Sequence, residues 1–96
     1  MKKFVLLYVG SVEPTQEVME GWQKWFGVLG NRVVDSGNPF GAGREITKTG
    51  THDLAQDEKA ISGYTIINAE SMEEVENLSK ECPIVTSVKI YEAMAM

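Results

Sequence analysis

One imidazole and one thiol are the conventional acid–base and nucleophilic groups of this sequence, together with three tyrosines. His52 stands next to Asp53. A histidine oriented by a carboxylate is a common general base. Neighbouring side chains of an extended segment point to opposite sides, so this pair reads first as an exposed hairpin-loop pair and meets as a dyad only across a bulge. Cys82 has Lys80 as its one nearby base. It reads as a small buried hydrophobe at a helix end rather than an activated thiol. A single His and a single Cys without ligand spacing predict no metal site, and no cofactor is expected.

The residues suited to binding are more numerous. Trp22 and Trp25 offer flat apolar walls, or core packing. Tyr8 and Tyr64 carry hydroxyls, Asn38 a donor–acceptor amide, and Arg44 a planar fork that suits an anionic group. Asn38 lies in VDSGNPFGAG, residues 34–43, a stretch with three glycines and an Asn-Pro. Glycine-rich loops cradle phosphates when they open a helix. This one precedes a strand, so it reads as a turn in which Gly37 and Gly41 take positive φ, or as the rim of a pocket with Asn38 and Phe40 at the mouth. A ligand drawn to these groups would be a small aromatic or anionic molecule. Its place would be the groove between the first helix and the sheet edge, or the mouth of a dimer cavity beside it.

The elements that must position these groups follow from periodicity. Residues 3–9 are nearly all apolar and predict a central strand with Phe4, Leu6 and Tyr8 on one face and Val5, Leu7 and Val9 on the other. The run is too short for a secretory leader, and Glu13-Pro14 breaks it. Thr15 is a good N-cap, and Val18, Trp22, Trp25 and Leu29 form one helical stripe, broadened by Met19 and Phe26. Gly30 and Asn31 stop that helix. A short extended piece over 32–34 leads into the glycine loop. Residues 44–48 predict a strand, and 51–59 are polar and irregular. The segment AISGYTIIN, residues 60–68, is a strong strand. Ser71 and Glu74 have capping-box spacing, with Met72, Val75, Leu78 and Cys82 facing the core up to Pro83. Residues 85–92 alternate as a last strand.

The order β-α-β-β-α-β predicts a single α+β domain over 1–96, a ferredoxin-like sandwich with an antiparallel sheet and both helices on one face. The other face keeps an apolar strand uncovered. A second copy is the simplest cover, which predicts a homodimer. The formal net charge is −5, and the nine Lys and Arg are scattered among fourteen acids. No basic stripe is available for nucleic acid, and no segment approaches the length of a membrane span. The single cysteine fits a reducing, cytoplasmic setting.

Several of these features together resemble the YCII-related domain family. They are Gly63-Tyr64 in the strong strand, Ala69 and Ser71 at its exit, Glu74-Val75 in the second helix and Cys82-Pro83 at its end. The first strand, the aromatic first helix and residues 33–39 fall where that family places them. The resemblance implies a dimeric α+β barrel. Some members resemble muconolactone isomerase in fold, at least one is a dehydrochlorinase of a chlorinated aromatic, and others are linked to sigma factors. Several members are held to use a first-helix His with an Asp partner. This chain has no His there, and Asp57-Glu58-Lys59 stand where a sister group carries Asp-Gly-Pro-Phe-Ala-Glu. Two functions therefore stand side by side. One is a small-molecule binding or regulatory module. The other is an isomerase- or dehydrochlorinase-like enzyme acting on an aromatic or lactone, with His52 and Asp53 or a tyrosine as its acid–base groups.

Overall fold

The computed structural model describes residues 1–10 and 15–95. The predicted break at Glu13-Pro14 lies outside the described residues. The chain is an α+β protein with two helices and an antiparallel four-stranded sheet, compatible with a ferredoxin-like fold. The strands are β1 (Lys2–Val9), β2 (Val33–Asp35), β3 (Gly43–Thr47), β4 (Gly50–Leu54), β5 (Ile61–Ala69) and β6 (Ser87–Ala93). The helices are α1 (Gln16–Leu29) and α2 (Met72–Ser79). The main sheet runs β2-β5-β1-β6, and β3 and β4 pair with each other as a separate ribbon.

Local chemistry explains both helix starts. The Thr15 hydroxyl accepts the Val18 amide at 3.2 Å, and the Ser71 hydroxyl accepts the Glu74 amide at 3.2 Å. Each satisfies a donor that a helix N-terminus leaves free. The Glu74 carboxylate does not complete a reciprocal box. It accepts the Arg32 Nε–H at 3.1 Å, tying α2 to the turn after α1. α2 also stops at Ser79, before the Pro83 expected to end it, and Met72 stays exposed rather than facing the core.

Phe4, Leu6 and Tyr8 of β1 pack with Ile67 and Ala69 of β5, Trp25 and Leu29 of α1, Val75 of α2 and Cys82. Both helices thus cover one face of the sheet. On the other face, Val5 and Leu7 lie opposite Ile66 and Tyr64 of β5 and Tyr91 and Lys89 of β6, outside the core cluster that the two helices cover. Strand pairing fixes this division, because a one-residue slip would exchange the two faces.

The expected irregular stretch over 51–59 is corrected in its first part. Gly50–Leu54 is a strand, paired to β3 from Gly43↔Leu54 to Thr47↔Gly50. Backbone pairing makes it a strand although Thr51-His52-Asp53 has no apolar alternation. Every residue of this arm except Gly43 is exposed, Ile46 to 81%. Among the described residues, no helix is long and apolar enough to cross a membrane.

Candidate functional site

A cleft of about 400 Å³ opens between α1 and the segment 36–40. Its volume falls in the range of small-molecule sites, ~300–1,000 Å³. Met19, Trp22 and Phe26 form the helix wall, Tyr8 and Gly63 the floor, and Asn38, Phe40 and Tyr64 the rim. Trp22 stands edge-on to Tyr8, with ring centroids 4.7 Å apart and planes at 82°. Phe26 continues that wall at 6.2 Å from Trp22. At the rim, Phe40 stacks on Tyr64 at 5.5 Å. Edge-to-face and offset pairs of this kind are favoured by the ring quadrupoles.

The floor is held by a chain of three hydrogen bonds, two buried and the last partly buried. Trp25 Nε1–H donates to the Tyr8 hydroxyl at 3.0 Å, and Tyr8 donates to Thr65 Oγ1 at 2.7 Å. Thr65 Oγ1 in turn donates to the Ser36 carbonyl at 3.0 Å. Three elements and the loop are thereby locked in one register. Burial pushes the Tyr8 hydroxyl above its usual range, partly offset by its bonds to Thr65 and Trp25. With donor and acceptor roles both taken, Tyr8 presents its ring to the cleft and not a free acid.

The loop follows the edge of β5 closely. Pro39 bridges Gly63, and the Phe40 amide donates to the Ser62 carbonyl at 2.8 Å. Asp35 Oδ1 accepts the Gly37 amide at 2.9 Å, and Oδ2 accepts the Tyr64 hydroxyl at 3.0 Å. The bond to Asp35 raises the Tyr64 pKa. Gly37 is required here. Its φ is 80°, and a Cβ would collide with the Tyr64 carbonyl oxygen. Gly41 does not have positive φ, in contrast to the sequence expectation.

Three of the residues expected to bind a ligand therefore meet at the cleft, Tyr8, Trp22 and Asn38; Tyr64 borders it, but lies in register with Leu7 on the open sheet face and its hydroxyl is bonded to Asp35. Trp25 does not line the cleft. It is fully buried behind Tyr8 and positions it. Arg44 is not at the cleft either. It lies in the arm and pairs with Asp53 at 3.1 Å, both side chains largely exposed. His52 is on the opposite side of β4 from Asp53, across from Glu45. His52 and Asp53 thus occupy separate faces of a solvent-exposed ribbon. Met19 and Phe26 broaden the helical stripe in the sequence, and the spacing 19, 22, 26 is itself a second stripe that faces the cleft.

Tyrosine is the one titratable residue type among the described residues lining the cleft. Its surface is apolar and aromatic, with amide and hydroxyl groups at the rim, which suits a flat uncharged molecule. Burial pushes the Cys82 thiol up to about 12, so it is protonated at neutral pH. Among the described residues, no group of three or more His, Cys, Asp or Glu is placed to hold a metal ion. Comparison with known proteins finds no family model and no curated protein that matches the chain.

Proposed function

We propose that the protein is a small-molecule binding or regulatory module whose ligand is a neutral, flat aromatic compound held in the cleft beside α1. The carrying observation is the aromatic cleft itself, with its floor fixed by the Trp25–Tyr8–Thr65–Ser36 chain. A pre-formed apolar wall with few polar groups is the common form of such sites. The anionic ligand that Arg44 suggested loses its rationale, because that guanidinium is on the arm. The binding reading is favoured over the enzymatic one by the same geometry, since His52 is on the arm as well.

The working assembly in this proposal is a homodimer packed through the open sheet faces, as in the dimeric α+β barrels of the YCII-related family that the sequence resembles. Val5, Leu7 and Ile66 at the centre of that face support it. A cytoplasmic setting goes with the reading of Cys82 as a plain reduced thiol.

The test is a thermal-shift and calorimetric screen that compares neutral aromatics with aromatic acids of matched size. Neutral compounds should stabilise the protein by about 2.7 kcal/mol at a hundredfold excess over Kd. Trp22→Ala should abolish the effect and Arg44→Ala should leave it intact. Preferential binding of the acids, lost in Arg44→Ala, would contradict the proposal.

A further inference from the structure

The β3–β4 arm has no role in the cleft, and its paired partners are its own two strands. A lone two-stranded ribbon is marginal in water and is normally stabilised by packing on a further layer. Ile46 is 81% exposed and Leu54 51% exposed, on opposite sides of the ribbon. At its base, a wide groove of about 600 Å³ runs from Leu54 and Ile61 to Leu7 on the open sheet face. The arm base and the uncovered sheet therefore share one groove, mostly apolar, with Gln56, Asp57 and Lys59 also on its lining.

The area of the whole chain points the same way. A folded monomer of this mass exposes about 5,500 Å². This chain exposes 7042 Å². The excess is well above the ~800 Å² per partner that a standard stable interface buries. The radius of gyration is 14.4 Å, against about 12.5 Å for a compact chain of this length. The molecule is flat, with extents of 41 × 40 × 18 Å, so the surplus is spread surface rather than length alone.

We infer that the β3–β4 arm is a clamp that closes on a second copy of this chain, so that each protomer's arm is packed on its partner's body while the two open sheet faces meet. The inference rests on the open-face homodimer proposed above and adds the element that secures it. In the isolated protomer the arm's apolar residues are in water. In the pair they are covered, and the groove at the arm base gains a second wall. Arg44 and Asp53 neutralise each other within the ribbon, so the arm carries no unpaired charge from that couple into the contact.

The experiment is sedimentation of three full-length proteins over a wide concentration range, with amide hydrogen exchange read on each. They are the wild type, Ile46→Asp, and a variant in which residues 44–53 are replaced by an Asn-Gly turn joining Gly43 to Leu54. The wild type should be a dimer, with β3 and β4 amides that become protected as concentration rises. The replacement should fold, because the arm is outside the core cluster, and dimerise at least about a hundredfold more weakly. Ile46→Asp should weaken it in the same direction and decides the matter if the replacement does not fold. A monomeric wild type would overturn both the clamp and the open-face dimer. Variants that dimerise as tightly as wild type, with arm amides unprotected in all proteins, would overturn the clamp alone.

Discussion

The cleft beside α1 and the β3–β4 arm each hold residues with chemically useful side chains, but they are built in opposite ways. The cleft residues are joined by hydrogen bonds that span up to 57 positions of chain, from Tyr8 to Thr65. Each arm residue faces another three to eleven positions away across the ribbon. Long-range contacts put Tyr8, Trp22, Asn38 and Tyr64 in fixed relation. Arg44, His52 and Asp53 are equally polar, and the ribbon presents them to solvent. A side chain becomes part of a site when a packed scaffold over-determines its place, whatever its intrinsic reactivity.

The largest expected break in this comparison is at Trp25. Trp25→Ala removes a fully buried ring and the donor to Tyr8. It should lower unfolding stability by about 3–5 kcal/mol in urea titrations, and take ligand binding with it. Arg44→Ala, the matched polar change in the arm, should leave the monomer's unfolding midpoint where it is.

Thr65→Val comes next. It leaves the Tyr8 hydroxyl without an acceptor and the Ser36 carbonyl without a donor. Such groups, when buried, cost about 1–3 kcal/mol. Hydrogen exchange should show 36–40 loosened while β3 and β4 are unchanged.

Alkaline titration sharpens the contrast further. The Cys82 thiol shifts from an ordinary value near 9.0 to about 12 on folding, through burial, and Tyr8 is also raised above 10.0. Both groups lose their protons more readily in the unfolded chain. Their contribution to stability is complete below about pH 9 and falls as pH rises towards 12. Cys82→Ala should flatten the decline in urea midpoint between about pH 9 and about pH 11, and Tyr8→Phe should flatten the part above pH 10. Substitutions in the arm should not alter it.

The smallest effect is a gain. Ser79 ends α2 with its hydroxyl buried and, among the described residues, without a hydrogen-bond partner. Ser79→Ala should raise stability by about 1 kcal/mol in thermal or urea unfolding.

These contrasts also mark what the sequence could reveal. The helix starts were legible because Thr15 and Ser71 act on amides three residues away. The two faces of β1 were legible from alternation as far as Tyr8; Val9, expected on the uncovered face, is buried beyond a register shift. The arm's second strand was not, because Thr51-His52-Asp53 carries no apolar pattern and its pairing with β3 is a backbone matter. The two tryptophans shared one stripe, and spacing could not tell which would be core and which wall. That depends on the reach of Trp25 to Tyr8, an interaction across 17 positions and two elements. Gly37 could be named as a positive-φ residue, yet its reason is the Tyr64 carbonyl, a contact no local pattern encodes.

The two tryptophan indoles supply the most direct test of the proposed site. A titration of the protein with a neutral aromatic ligand, followed by ¹H–¹⁵N spectra, reads both Nε1–H signals at once. The Trp22 signal and the amides of 36–40 should shift together with one saturable Kd, while the Trp25 signal, bonded to Tyr8, stays nearly fixed. Shifts confined to β3 and β4, or a Trp22 signal unmoved at saturation, would contradict the account.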